Sequence, residues 1–154
     1  MRRPYFPARQ GDHPPPLRAR VQRRVRFEEV DPLGIVWHGR YPSYFEDARV
    51  LLGERYGIGY DDFRAHQVLA PIKKLHIDYV KPLRFGEEFS IEGVLHWAEA
   101  ARLNFEFVIR DAREQVTTTG FSVQLLLDPS GEVLMAHPPF CQAFRERWRA
   151  GELR

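Results

Sequence analysis

The stretch YPSYFEDARVLLGERYG, residues 41–57, decides the fold that this sequence predicts. Its apolar side chains recur every three or four positions, which places them on one face of an amphipathic helix. Pro42 suits the first turn of that helix, where its missing N–H leaves no bond unmade, and Gly57 suits the position just past the end. We therefore expect one long helix with a wide apolar stripe.

Outside this helix the period of the apolar residues changes from 3.6 to 2, which is the period of half-buried strands. One alternating segment, residues 19–27, precedes the helix. Four more follow it, at residues 72–80, 87–97, 102–110 and 116–127. In the last of them we expect Ser122 and Gln124 to face away from the core. The side chains expected to face the core there are Phe121, Val123, Leu125 and Leu127.

The order of one strand, one long helix and four strands predicts an α+β fold. The links between the last four segments are short, as expected for antiparallel neighbours. A long helix and a curved five-stranded antiparallel sheet can then bury each other's apolar faces in two layers. A shorter helix capped by Asp61 or Asp62 is expected to run toward Gln67. Because such a sheet leaves open edges, we also expect the chain to form a homodimer, or a tetramer built from two dimers.

The composition divides the chain into three parts. Residues 1–17 are rich in proline and arginine and lack periodicity, which predicts a flexible tail. Residues 18–137 contain the alternating segments and the long helix, and they predict a single domain. Residues 138–154 carry aromatic residues at helical spacing, which predicts a helical C-terminal extension.

Charge and residue usage exclude several classes of function. The 154 residues carry a formal net charge of +2 with acids and bases nearly balanced, so a nucleic-acid partner is not expected. The single cysteine, Cys141, and six histidines without ligand spacing predict neither a disulfide framework nor a metal site. No apolar run approaches the roughly 18 residues of a membrane span, and the N-terminus lacks the apolar part of a secretory signal. We therefore expect a cytoplasmic protein without a membrane partner.

The segment with candidate catalytic residues lies between the first strand and the long helix. Phosphate-binding, dinucleotide-binding and serine-elbow motifs are absent from the sequence. Asp31 precedes Pro32, so one interpretation is an ordinary turn aspartate. His38 and Gly39 follow at the expected start of the helix, whose first N–H groups lack intrahelical acceptors and can hold a developing oxyanion. The other interpretation is therefore a minimal acyl-transfer site, made of a carboxylate and an amide-lined pocket.

The same segment, FEEVDPLGIVWHGRYPSYFEDAR at residues 27–49, resembles the signature of a known enzyme family. It is similar to the hotdog-fold acyl-CoA thioesterases of the 4-hydroxybenzoyl-CoA thioesterase and YbgC-like group. The stretch IDYVKPLRFGEEFSI, residues 77–91, resembles the next two strands of that family, and the resemblance extends over about residues 18–127. The positions that match the signature are Asp31, Gly34, Ile35, Val36, Trp37, His38, Tyr41, Phe45, Glu46, Ala48 and Arg49.

The resemblance implies a hotdog fold, in which the sheet wraps a central helix, and a thioester hydrolase. Asp31 would be the nucleophile or the general base, and the backbone N–H of His38 would polarise the thioester carbonyl. The His38 side chain, at a position where the hydroxybenzoyl-CoA enzymes have tyrosine, would orient water or bind substrate. The family's active site lies at a dimer interface, so Asp31 would work across it. Further residues expected to contact the substrate are Trp37, Gly39, Tyr41, Tyr44, Phe45 and Glu46.

The substrate implied by the resemblance is an acyl-CoA or the thioester of an acyl carrier protein, with no cofactor beyond the coenzyme A of the substrate. Basic residues that would hold the CoA phosphates, unless they are only solvated strand charges, are Lys73, Lys74, Lys81 and Arg84. The chain departs from the commoner form of the signature at Val30, Pro32 and Leu33. A bulky Leu33 beside the carboxylate would narrow the pocket or shift the preferred chain length.

Two other functions remain open for a hotdog fold. One is a protein that binds acyl-CoA or an acyl carrier protein without turnover, although such a protein has no need of a carboxylate beside a helix N-terminus. The other is a dehydratase, whose His-Phe-Pro type of loop this sequence lacks.

Overall fold

The computed structural model describes residues 4–7 and 11–153 and forms one sheet with three helices in these parts of the chain. The elements in chain order are β1 (Leu17–Arg24), α1 (Tyr41–Tyr56), α2 (Tyr60–Ala65), β2 (Ile72–Tyr79), β3 (Glu88–His96), β4 (Arg102–Asp111), β5 (Val116–Leu125) and α3 (Pro139–Arg149). Two 3-10 turns, Phe27–Glu29 and His38–Arg40, lie between β1 and α1.

The five strands form an antiparallel sheet in the order β1-β3-β4-β5-β2. The chain therefore crosses from one edge of the sheet to the other between β1 and β2, and α1 is part of that crossing. The strands β3, β4 and β5 follow one another as a meander with short links. This confirms the predicted α+β fold, with a long helix against a five-stranded antiparallel sheet. The prediction that the last four strands are all consecutive neighbours was wrong for β2, which pairs with β5 and not with β3.

Helix α1 begins and ends where the sequence predicts. Pro42 lies in its first turn, and Gly57 follows its last residue with φ of 72°, a left-handed conformation that glycine adopts without strain. The helix approaches the sheet closely because Gly93 of β3 faces Ala48. A Cβ atom added at Gly93 would lie 3.2 Å from the Cβ of Ala48. The Phe45 ring stacks on Phe107 with their centroids 4.5 Å apart, and burying such a side chain contributes roughly 2–3 kcal/mol.

The prediction for β5 was wrong about which face is turned inward. Gly120 lies under α1, since a Cβ atom there would come within 2.6 Å of the Phe45 ring. Ser122 and Gln124 share that inner face, whereas Phe121 and its apolar neighbours point to the outer face of the sheet. The physical reason is Arg49 of α1, which is 5% exposed and donates to the side chains of Ser122 and Gln124. A buried guanidinium requires acceptors, and the polar face of β5 supplies them.

Three other predictions shift at their ends. The first strand stops at Arg24, and Phe27 lies in the 3-10 turn with 79% of its surface exposed instead of continuing the alternation. The short helix α2 begins at Tyr60, and Asp62 accepts the backbone N–H of Gly59 at 2.9 Å, which satisfies one free donor of the helix start. Leu127 lies beyond β5 and pairs with Leu69.

The C-terminal helix α3 closes one end of the structure with its buried residues Cys141, Phe144 and Trp148. The indole of Trp148 donates to the carbonyl of Pro15 at 2.8 Å, so this part of the tail lies against α3. Flexibility was predicted for residues 1–17; of these, residues 1–3 and 8–10 lie outside the described residues. In the part of the chain that the structure describes, no helix is both long and apolar enough to cross a membrane.

Candidate active site

The loop that carries Asp31 is a tight turn held by its own backbone. Gly34 N–H donates to the carbonyl of Asp31 at 2.9 Å, and the N–H of Asp31 donates to the carbonyl of Ile35 at 2.8 Å. Gly34 has φ of 77°, so a side chain at this position would be strained. A backbone bridge between Ile35 and Arg84 fastens the turn to the loop before β3. Asp31 therefore occupies a fixed position.

The Asp31 side chain is half-buried and takes part in that turn. Its Oδ1 accepts the backbone N–H of Leu33 at 2.8 Å, which is an Asx turn. Its Oδ2 has no hydrogen-bond partner among the described residues. The two interpretations of Asp31 are thus compatible, because one oxygen serves the turn while the other is left open for chemistry.

The start of α1 offers unused backbone donors. The 3-10 turn His38–Arg40 leads directly into the helix, and the N–H of Arg40 donates to the carbonyl of Trp37 at 2.9 Å. In the part of the chain that the structure describes, the N–H groups of His38 and Gly39 donate to no protein acceptor. The Trp37 ring covers Gly39 so closely that an added Cβ atom would lie 2.3 Å from it. Only glycine leaves room for this arrangement.

Tyr79, at the end of β2, ties the edge of the sheet to the helix start. Its hydroxyl donates to the carbonyl of His38 at 2.7 Å, and its ring packs edge-on against Tyr41 with their centroids 5.1 Å apart. Burial raises the pKa of Tyr79 and that of Tyr41 above the ordinary value of 10, so both side chains keep their O–H donors at neutral pH. Nothing in the sequence indicated this bond, which joins residues 41 positions apart.

These groups surround an open cavity of about 340 Å³. It is lined by Asp31, Ile35, Val36, His38, Tyr41, Tyr79, Val80, Lys81 and Pro82. Of the residues predicted for the site, the structure therefore brings together Asp31, His38 and Tyr41 with Lys81. Trp37, which is 49% exposed, and Gly39 lie beside them in the turn before the helix.

Three of the predicted substrate contacts lie elsewhere in the protomer. Tyr44 and Phe45 are almost fully buried in the core, and burial raises the pKa of the Tyr44 hydroxyl far above its ordinary value. Glu46 accepts hydrogen bonds from Arg49 Nε at 3.0 Å and from the Tyr60 hydroxyl at 2.7 Å. Burial, followed by the bond to Glu46, raises the pKa of Tyr60 to about 12.

Arg49 and Tyr60 line a second cavity, of about 230 Å³, between the C-terminal half of α1, α2 and the start of β4. Along β5 this cavity borders Gln124, whereas the Asp31 cavity borders Tyr79, whose cross-strand neighbour is Thr118. At about 3.3 Å per residue of strand, roughly 20 Å separates the two positions on β5. Within one protomer the Glu46 cluster is therefore remote from Asp31.

The basic candidates for CoA binding also separate into two groups. Lys81 lines the Asp31 cavity and donates to Gln115 at 2.7 Å and to Asp111 at 3.2 Å. Arg84 is exposed and pairs through its backbone with Ile35 of the turn that carries Asp31. Lys73 and Lys74 lie at the other end of β2, and Lys74 points to the outer face, 5.5 Å from the centre of the Phe121 ring. No group of three or more potential metal-ligating side chains occurs among the residues that the structure describes.

The fold of the chain is shared with solved structures. The chain superimposes on the solved structure of a DHNA-CoA thioesterase from Staphylococcus aureus with a TM-score of 0.77, at 19% identity, covering 88% of this chain and 93% of that one. At this identity the similarity concerns the fold, and it confirms the predicted hotdog architecture.

The family follows from the sequence match. Residues 25–144 match the model of the thioesterase-like superfamily, and the chain belongs to this superfamily. It is 40% identical over 63 residues to YneP of Bacillus subtilis, named as a candidate acyl-CoA thioesterase, but this match spans 41% of the chain and only 46% of YneP. It is 23% identical over 106 residues to the acyl-CoA thioester hydrolase YbgC of Escherichia coli O157:H7, spanning 69% of the chain and 79% of YbgC. The predicted family is confirmed, and with it the class of thioester hydrolases.

Proposed function

We propose that this chain is an acyl-CoA thioesterase that hydrolyses an acyl or aryl thioester to the free acid and the thiol. One observation carries the proposal: the Asp31 carboxylate and the start of α1 line the same open cavity, and Oδ2 of that carboxylate is engaged by no other group of the described residues. A base or nucleophile and a set of oxyanion donors are the two parts that acyl transfer needs.

In the general-base form of the reaction, Asp31 Oδ2 removes a proton from a water molecule. The water oxygen attacks the thioester carbonyl carbon, and the carbonyl oxygen becomes an oxyanion. The N–H groups of His38 and Gly39 donate to this oxyanion, since they carry the positive end of the helix dipole and have no competing acceptor among the described residues. Collapse of the tetrahedral intermediate breaks the C–S bond, and the thiolate takes up the proton that Asp31 holds.

In the nucleophilic form, Asp31 Oδ2 attacks the carbonyl carbon itself and forms a mixed anhydride, and the thiolate leaves. Water then hydrolyses the anhydride and regenerates the carboxylate. The Leu33 N–H has the same role in both forms, because its bond to Oδ1 fixes the direction of Oδ2. The His38 imidazole, which is exposed at the cavity wall, is the group that orients water or contacts the substrate.

We further propose that the working unit is a homodimer joined through β2. In the part of the chain that the structure describes, this strand is an edge of the sheet, and it presents Leu75 and Tyr79 with 42% and 53% of their surfaces exposed, followed by Val80 with 64%. Two such edges related by a two-fold axis pair antiparallel, so the end of one β2 meets the start of the other. That arrangement moves the 230 Å³ cavity of one protomer toward the Asp31 cavity of its partner and gives Glu46 a place beside the substrate.

The thiol carrier is proposed to be coenzyme A. The names of YneP and YbgC support this, since both refer to acyl-CoA. Arg84 and Lys81 are the two basic candidates that lie next to the Asp31 cavity, where the phosphates of CoA would require cations. An acyl carrier protein, whose phosphopantetheine arm presents the same thioester, is the alternative donor.

The test is thiol release by the purified full-length protein from a panel of short-chain, long-chain and aryl acyl-CoAs. Asp31→Asn is the decisive variant because its amide oxygen can still accept the Leu33 N–H, so the turn is retained while the base is lost. We expect kcat to fall about a hundredfold to ten-thousandfold. Asp47→Asn is the matched control, since Asp47 pairs with Arg23 at the surface, and it should leave kcat unchanged.

Two outcomes would contradict the proposal. If Asp31→Asn keeps the wild-type kcat, the carboxylate is not the base or the nucleophile. If no thioester in the CoA panel or on an acyl carrier protein is turned over while the protein still binds acyl-CoA, the chain is a binding protein of the same fold.

A further inference from the structure

Two phenylalanine side chains are exposed to solvent near the turn that carries Asp31. Phe27 is 79% exposed and Phe85 is 58% exposed, and their rings meet edge to face with the centroids 6.0 Å apart. A single exposed apolar side chain is ordinary, but two large rings in contact at the surface are a feature that marks binding sites. We call this pair the Phe27–Phe85 platform.

Backbone hydrogen bonds fix the platform next to the candidate active site. The N–H of Phe85 donates to the carbonyl of Gly34 at 3.3 Å, and the N–H of Val30 donates to the carbonyl of Phe27 at 3.4 Å. Gly34 and Val30 both belong to the turn around Asp31. Each ring of the platform is therefore tied to that turn by its own residue.

On its other side the platform continues the pairing of β1 with β3. The N–H of Val25 donates to the carbonyl of Glu87 at 2.9 Å, and the N–H of Gly86 donates to the carbonyl of Val25 at 3.1 Å. Strand β1 lies at the opposite edge of the sheet from β2. Pairing through β2 would therefore join two protomers at the other edge, away from these strands.

The substrate of the proposed reaction is longer than the cavity. A volume of about 340 Å³ is at the small end of the range for a drug-sized ligand, and coenzyme A is larger than such a ligand. Its nucleotide must lie on the surface outside the cavity. Lys81 donates to Asp111 at 3.2 Å and to Gln115 at 2.7 Å, so its charge is already compensated. Arg84, which directly precedes Phe85, is exposed.

Arg84 is the cation that the surface leaves available to a phosphate group. Its guanidinium forms no hydrogen bond or ion pair with any residue that the structure describes, and the Glu87 carboxylate accepts only the backbone N–H of Arg84, at 3.0 Å. The nearby Arg26 is instead 3.7 Å from Glu28. A guanidinium binds phosphate oxygens in pairs, so the phosphates of the nucleotide are drawn toward the turn that contains Phe85.

We propose that the Phe27–Phe85 platform binds the adenine ring of coenzyme A and that Arg84 binds a phosphate of the same nucleotide. The inference rests on the proposed thioesterase function, because it takes the thioester at Asp31 as one end of the ligand. Adenine is a flat aromatic base, and such bases stack on phenylalanine rings. An acyl carrier protein presents the same pantetheine arm without adenine. The platform therefore selects coenzyme A over a carrier protein as the thiol carrier.

The first measurement is the binding of adenosine 3′,5′-bisphosphate, the nucleotide part of coenzyme A, by calorimetry on the full chain. It requires no turnover. Phe27→Ser combined with Phe85→Ser should weaken Kd about fivefold to a hundredfold, as the loss of a base–aromatic stack does. Phe27→Tyr combined with Phe85→Tyr keeps both rings and should bind as the wild type does. Met135→Ser is the matched control, because it removes a 91% exposed apolar side chain from another loop.

The second measurement compares KM for one acyl group carried by coenzyme A and by phosphopantetheine. The double serine variant should raise KM for the acyl-CoA about fivefold to a hundredfold. It should not raise KM for the acyl-phosphopantetheine, since that substrate has no adenine. A general loss of stability would affect both substrates equally, so the ratio of the two KM values reports the platform alone.

The inference is overturned if the wild type does not bind adenosine 3′,5′-bisphosphate at concentrations far above the KM of the acyl-CoA. It is also overturned if the double serine variant binds this nucleotide as tightly as the wild type, or if the tyrosine pair or Met135→Ser weakens binding equally. The two proposals fail separately. Platform-dependent nucleotide binding without thiol release from any thioester would contradict the thioesterase and support the nucleotide site. Turnover of acyl-CoA without platform-dependent binding would do the reverse.

Discussion

Tyr79→Phe tests whether the bond to the helix start positions the oxyanion donors. The substitution removes only the hydroxyl that donates to the His38 carbonyl at 2.7 Å and keeps the ring that packs on Tyr41. A hydrogen bond of this kind contributes about 0.5–1.5 kcal/mol net. If that bond holds the His38–Gly39 peptide in the geometry of the transition state, its loss raises the barrier by the same amount. Since 1.36 kcal/mol is a factor of ten in rate, we expect kcat to fall about twofold to twelvefold.

The assay compares kcat and KM for one acyl-CoA with the thermal midpoint of unfolding. Tyr56→Phe is the matched control, because Tyr56 also donates to a backbone carbonyl, that of Arg18 at 3.4 Å, on the β1 side of the structure. Both variants should lower the midpoint by about 1–5 °C, as expected for a loss of this size in a domain of this length. Only Tyr79→Phe should lower kcat, and KM should change little.

Two results would refute this reasoning. Equal kcat values for Tyr79→Phe and the wild type would show that the turn is held without the bond. Equal losses of kcat in Tyr79→Phe and Tyr56→Phe would show that the effect is one of general stability. Because burial raises the pKa of Tyr79, the hydroxyl stays protonated throughout the range in which thioester turnover is measured, so the difference between the variants should not depend on pH below about 9.

Two further predictions concern Gly39, beside the cavity, and Asp111, which accepts a hydrogen bond from Lys81 of the cavity wall. Gly39→Ala should displace the Trp37 ring, because the added Cβ atom would lie 2.3 Å from it. We expect kcat in the thiol-release assay to fall while the far-ultraviolet circular dichroism stays unchanged. A wild-type kcat would contradict this prediction. Burial acts to raise the pKa of Asp111, but bonds from Gln115, Lys81 and Arg113 outweigh it and hold the pKa below its ordinary range. This carboxylate therefore stabilises the fold above about pH 4 and loses that contribution as the pH falls through its lowered pKa, so denaturant titrations of wild type and Asp111→Asn should differ at pH 7 and converge in acid.

The sequence predicts the elements better than it predicts their orientation. Alternation in β5 identifies two faces, but which of them is turned inward depends on a single charged residue of α1. Apolar residues normally face the core, and Arg49 reverses that rule locally because a guanidinium inside the protein must be given acceptors. The period of apolar residues along a strand carries no information about a partner on another element. It therefore could not predict that Ser122 and Gln124 face inward.

In the candidate site, too, local sequence patterns predict the contacts within one segment but not those between distant segments. The distance in sequence from Asp31 to His38 is short, so local turn chemistry and the start of a helix suffice to place them at one cavity. Glu46 and the basic residues at the start of β2 belong to the same predicted set, yet the protomer keeps them apart from Asp31. We propose that pairing of two chains through β2 brings Glu46 beside the substrate, and a single sequence does not encode such a pairing in any local pattern.

The buried guanidinium of Arg49 has a consequence for how the two layers fit together. An apolar helix can slide or rotate on an apolar sheet with small changes in free energy, since its contacts have no direction. Arg49 donates to one acceptor on its own helix and to two on β5, and a shift of α1 by a single residue would break these bonds inside the protein. The helix is thus locked in one position along the sheet, and the start of α1 is held against Asp31 by a polar contact two turns farther along the helix.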